Sequence, residues 1–155
     1  MRSPIRQLIV IFVLAAVISG CSKGGSNSPV VVTDTTKPSI LITAPTAGQQ
    51  FSAGNNIPFQ VTFSDNEALK SYDVAISQNL LGGLILKVVP TSVPFTYTKS
   101  TTTLTGKSQV ITLSDINIPS NTLTQIVSTG SYNLKVTCTD GSNNTTSTTL
   151  IINIH

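Results

Sequence analysis

Apolar side chains recur at every second position through most of this chain, and beyond the N-terminal segment no window sets them at the spacing of an amphipathic helix. Ile57, Phe59, Val61 and Phe63 alternate with Pro58, Gln60, Thr62 and Ser64, and Tyr72, Val74 and Ile76 with Asp73, Ala75 and Ser77. Tyr132, Leu134, Val136 and Cys138 alternate with Asn133, Lys135, Thr137 and Thr139, and Leu150, Ile152 and Ile154 close the chain. Successive strand residues point to opposite faces, so each run buries one face and wets the other. Pro38 to Thr43 adds a first strand, and Leu84 to Val89, Phe95 to Lys99 and Gln109 to Leu113 add three more. Thr101 to Gly106 reads as a polar turn, and Thr122 to Val127 as a single helical turn. Turn chemistry punctuates the runs at Ser64-Asp65-Asn66, Gly82-Gly83, Pro119-Ser120-Asn121 and Asp140 to Asn144. Seven or eight short strands of this one-sided kind imply an all-β fold, an immunoglobulin-like antiparallel β-sandwich.

The sandwich is expected to hold together without a disulfide. Of two cysteines, Cys21 lies at the end of an apolar leader, which leaves Cys138 unpaired on the apolar face of the penultimate strand. Its expected role is that of a buried structural thiol.

The N-terminus carries the most specific signal. Met1 to Arg6 holds two Arg and no acid, Leu8 to Ile18 is almost wholly apolar, and Ser19-Gly20-Cys21 follows. These are the three regions of a secretory signal, and eleven apolar residues fall short of the roughly 20 that span a bilayer. The ending Ile18-Ser19-Gly20-Cys21 resembles the bacterial lipobox, which implies cleavage before Cys21 and acylation of its thiol and new amine. Two or more acyl chains anchor a protein stably. The expected organisation is a signal peptide over 1–20, a lipidated Cys21 with a flexible tether over 21–36, and the sandwich over 37–155. Position two after the cleavage site is Ser22 rather than Asp, and no acid occurs before Asp34. The resemblance therefore implies the outer membrane, periplasm-facing, with the cell surface as the second choice.

Composition excludes several functions. Arg2 and Arg6 leave with the signal, so the rest has seven Lys against six acids and no Arg, which gives no phosphate-binding footprint and no nucleic-acid partner. The single His is His155, so neither a Ser-His or Cys-His dyad nor a zinc site is expected. Paired carboxylates leave a hydrolase as a distant alternative. The expected role is non-catalytic, a binding or structural module with a protein or glycan partner and no cofactor. A carbohydrate-associated accessory module of a polysaccharide-uptake assembly is the runner-up, although with Tyr97 and no Trp the stacking platform is thin.

Two further features bear on function. Asp65, Asn66 and Glu67 lie in one loop, and Asp140, Asn143 and Asn144 in another. In an immunoglobulin-like sandwich these loops share an end, close to the start of the first strand. Asp65, Glu67 and Asp140 are therefore candidate ligands of a weak Ca²⁺ site, since hard oxygen donors suit that ion. The competing and favoured reading is local turn capping by Asp and Asn. The segment Leu80 to Val89 reads either as buried strand, which is favoured, or as an exposed apolar recognition ridge that includes Leu84 and Leu86.

Lys37-Pro38-Ser39-Ile40, Pro45-Thr46-Ala47-Gly48 and Phe63 to Tyr72, with Gly130-Ser131-Tyr132 leading into Val136 to Asn143, resemble a family of Ig-like bacterial lipoproteins, domain of unknown function 4625. The resemblance covers about Lys37 to Ile154 and implies the fold rather than a chemistry. Members often have His after the third strand and on the penultimate strand. Here those places hold Ser77-Gln78-Asn79 and Ser131-Tyr132-Asn133, so a His-dependent role is not available to this chain.

Overall fold

The structure is a computed structural model, and it describes residues 33–79 and 91–155. The expected strand over 84–89 and the Leu80 to Val89 segment lie outside those residues. Ten strands are described: β1 Ser39–Ala44, β2 Gln50–Phe51, β3 Phe59–Ser64, β4 Leu69–Gln78, β5 Thr91–Val93, β6 Tyr97–Thr103, β7 Ser108–Leu113, β8 Gln125–Val127, β9 Gly130–Asp140 and β10 Thr145–Ile154. Seven run six residues or more, and β2, β5 and β8 are two- or three-residue additions.

The long strands divide into two sheets, ordered β1-β3-β7 and β2-β10-β9-β4-β6. All long pairs are antiparallel, and only β2 against β10 and β5 against β8 are parallel. Consecutive strands β3 and β4 lie in different sheets, as do β6 and β7, so the chain crosses between layers in the manner of an immunoglobulin-like sandwich.

One core fills the space between the sheets. Phe59, Val61 and Phe63 on β3 face Tyr72, Val74 and Ile76 on β4 and Tyr132, Leu134, Val136 and Cys138 on β9, all no more than 2% exposed. The period-two pattern thus decides which face of each strand is buried. Phe63 and Tyr72 meet across the layers with ring centroids 5.3 Å apart. Cys138 is a free, fully buried thiol. Burial first, then the nearby Asp65 and Asp140 charges, pushes its pKa up to about 11. At the start of β9 the Tyr132 hydroxyl donates to the Ser128 carbonyl at 2.6 Å, a tyrosine corner of the kind that fastens this strand in immunoglobulin-like folds.

Two local expectations are corrected. Thr101 to Thr103 continue β6 instead of turning, and the turn is confined to 104–107. One face of β6 is only half-buried and Ser and Thr fill both faces, so its run of Thr carries no apolar alternation to read. Gln125 to Val127 form a strand, not a helical turn, because they pair with β5 and the Asn121 side chain accepts the Val127 N–H at 2.8 Å.

Candidate functional site

The β3–β4 and β9–β10 loops meet at one end of the sandwich. Leu69 pairs with Asp140, and the Gly141 N–H donates to the Ala68 carbonyl at 2.8 Å, so the ladder itself sets the two loops side by side. Ser39 pairs with Ser64, which brings the segment entering β1 to the same end. Asp34, Asp65 and Asp140 converge there, each contributing one carboxylate oxygen to a set lying within 4.8 Å. Asp140 is fully buried and Asp34 is 9% exposed.

Local hydrogen bonds hold each carboxylate. Asp65 Oδ2 accepts the N–H groups of Glu67 and Ala68, both at 2.9 Å. Asp140 Oδ1 accepts the Asn144 N–H and its Oδ2 the Asn144 side-chain amide, both at 2.7 Å. Asp34 Oδ1 accepts the Thr36 N–H at 2.9 Å and the Asn66 side-chain amide at 3.1 Å. These two bonds, the Thr36 one foremost, hold the Asp34 carboxyl below the ordinary carboxylate value and keep it ionised. Asn144 Nδ2 also reaches the Asp34 carbonyl at 3.0 Å, which ties the segment before β1 to the β9–β10 loop.

Turn capping therefore accounts for much of this arrangement, but not for all of it. Asp65 Oδ1 is sealed from solvent and has no hydrogen-bond partner among the described residues, an exception of the kind that native interiors rarely tolerate. Among the described residues no lysine pairs with the cluster either. Lys70 Nζ donates to Asn143 Oδ1 and Lys107 Nζ to the Asn66 carbonyl, and among the described residues the one ion pair is Lys99 with Asp115.

The sequence candidates are placed as follows. Asp65 and Asp140 come together, whereas Glu67 is exposed, stands outside the cluster and contributes only its backbone N–H to Asp65. Asn66 and Asn144 point amide nitrogens at the acids, so they act as donors rather than as oxygen ligands. Asp34 was hidden in the stretch read as tether. Its signal in the sequence is an acid two residues before Thr36, the spacing of an Asx turn, just ahead of a strand. Cys21 lies outside the described residues.

Elsewhere the surface offers little chemistry. The Tyr97 hydroxyl donates to Asp115 at 3.2 Å, and burial, with the Asp115 charge second, pushes its pKa up to about 12. That ring is half-buried and committed rather than displayed. Ser52 Oγ lies 3.3 Å from His155 Nε2, a pairing the sequence did not suggest. The pair is exposed, and among the described residues no carboxylate orients the other ring nitrogen, so the third member of a hydrolytic triad is missing. Leu41 and Val110, 62% and 57% exposed, flank Thr62 in one row on the outer face of the three-stranded sheet.

Fold and site together define an immunoglobulin-like β-sandwich module with an acidic cluster where its first strand enters. The family model described as Domain of unknown function (DUF4625) matches residues 20–155, and the chain belongs to that family. No curated protein matches it. Among solved structures it is similar to the fibronectin(III)-like modules of Clostridium thermocellum CbhA, at 14% identity and a TM-score of 0.40, over 76% of this chain and 46% of that one. A beta-glucosidase from Listeria innocua is similar at 11% identity and a TM-score of 0.39, over 74% of this chain and 16% of that one. The chain thus spans less than half of either protein, and likenesses at this level carry no argument about function.

Proposed function

We propose that this chain is an envelope lipoprotein, anchored through acyl groups on Cys21, whose sandwich serves as a non-catalytic binding or structural module. The observation that carries the reading is the apolar run Leu8 to Ile18 ending in Ile18-Ser19-Gly20-Cys21. Small residues before the Cys suit a peptidase that draws the backbone into an intramembrane groove, and the run is too short to remain as a span. Ser22 favours the outer membrane, facing the periplasm. A module without catalysis fits a chain whose single His is exposed and, among the described residues, has no orienting acid.

The test is expression of the full chain in a bacterium that processes lipoproteins. The mature N-terminal peptide should begin at Cys21 and carry acyl mass, and the protein should partition into detergent. Cys21→Ser should stay uncleaved or shift to the aqueous phase. Unchanged cleavage and partitioning of that variant would overturn the proposal.

A further inference from the structure

We propose that Asp34, Asp65 and Asp140 form a binding site for a hard divalent cation, Ca²⁺ by preference, that fastens the segment entering β1 to the β3–β4 and β9–β10 loops. Three separate segments, the entry to β1, the β3–β4 loop and the end of β9, deliver one carboxylate each, with contributing oxygens within 4.8 Å of one another. Ca²⁺ contacts oxygens at about 2.3–2.6 Å, so two ligands on opposite sides of the ion stand roughly 5 Å apart, and no pair in this set is farther apart than that. Mg²⁺ demands near-ideal octahedral geometry and gives up its waters reluctantly, so a cluster of protein carboxylates suits it less well.

The second observation is Asp65 Oδ1. Its partner oxygen is fully occupied in capping the turn, whereas Oδ1 is buried with no donor to meet it among the described residues. A turn cap needs only one carboxylate oxygen, so capping does not explain why the other oxygen of an acid in this cluster is sealed from solvent. A cation does explain it, and it also supplies the positive charge that the neighbouring lysines direct elsewhere. The donors are hard oxygens. Cys138, the nearby sulfur, is fully buried and is not a member of the cluster, so no soft ligand is offered to a metal such as Zn²⁺. Hydrogen bonds from Thr36, Asn66 and Asn144 pre-set the acids in place, the role that outer-shell partners play around metal ligands.

The experiment uses the full chain in mild detergent, stripped with chelator, and reads both calorimetric Ca²⁺ binding and the thermal midpoint. Saturable binding at one site is expected, with a rise in midpoint of roughly 10 °C at a hundredfold excess over Kd. Equal ionic strength from NaCl should give no such rise, and Mg²⁺ a smaller one. Asp65→Asn should weaken Ca²⁺ binding at least tenfold while leaving the metal-free midpoint unchanged or higher, because it removes a repelling charge. Should that variant fail to fold, Asp34→Asn carries the same expectation. No saturable binding at 10 mM Ca²⁺, an equal response to NaCl, or wild-type affinity in both variants would each overturn the site. Equal responses to Mg²⁺ and Ca²⁺ would overturn the preference for calcium. Loss of the site leaves the Cys21 partitioning result untouched, so the two proposals fail separately.

Discussion

Replacing Tyr132 with Phe removes one oxygen from the centre of the fold and leaves its volume almost unchanged. That hydroxyl serves two backbone groups. It donates to the Ser128 carbonyl at 2.6 Å and accepts the Phe95 N–H at 3.3 Å. Tyr132 is fully buried and Phe95 is 5% exposed, so water reaches the freed Phe95 N–H poorly. A buried backbone group left without a partner costs about 1–3 kcal/mol. The half-exposed Ser128 carbonyl recovers part of its loss from solvent, which puts the total near 2–3 kcal/mol. An unfolding entropy of about 2.1 cal/mol/K per residue, over roughly 120 residues, makes each kcal/mol worth about 4 °C. Thermal unfolding followed by far-UV circular dichroism should therefore show Tm lower by about 8–12 °C, and urea unfolding a lower midpoint with an unchanged m-value. Tyr72→Phe is the matched control. Tyr72 is equally buried and packs on Phe63 but makes no hydroxyl hydrogen bond within the described residues, so its Tm should move by less than about 2 °C. If Tyr132→Phe loses no more than Tyr72→Phe, the corner contributes only ring packing and the reasoning fails.

Two other outcomes follow from buried groups. Cys138 should resist alkylation in the folded chain and react on denaturation, and fast native labelling would contradict its burial. Its folded pKa, near 11, lies above that of the unfolded thiol, so the stability it confers is complete below about pH 9 and is lost as pH rises through 11. The urea midpoint should fall across that window, and less steeply in Cys138→Ala. Asn144→Ala removes side-chain bonds to Asp140, to the Asp34 carbonyl and to the Thr36 carbonyl. It should cost about 1–3 kcal/mol and admit proteinase K cleavage near residues 33–37, read by mass spectrometry. Unaltered cleavage there would show that the segment is held by other means.

Legibility from sequence followed burial on one face. β3, β4 and β9 each bury every second side chain, so alternation marks them plainly, down to the inward placement of Cys138. β10 begins at Thr145 with Thr and Ser on both faces and shows its pattern only from Leu150, so the sequence reading caught its second half. β2 and β8 are held by pairing to other strands, a property that no short window of sequence contains. The loop pairing of Asp65 with Asp140 was legible because topology alone sets it. Asp34 was not, because its place depends on side-chain bonds from Asn66 and Asn144, 32 and 110 residues away. Glu67 was over-read: neighbouring an aspartate in sequence says nothing about which way a turn aims the next side chain.

The bonds at Asp34 also set the order in which the domain yields to a pull. Load arriving along the backbone from upstream of Thr33 meets Asp34 before it meets β1, and Asp34 is gripped by Asn66 on one loop and Asn144 on another. Those loops adjoin β4 and β9, which pair along their length in the five-stranded sheet. Tension is thereby shared across the layer opposite β1, and β1 is spared from being peeled away from β3 one hydrogen bond at a time. The grip acts as a strain relief, like the collar on a cable, so the β1–β3 ladder does not take the load first.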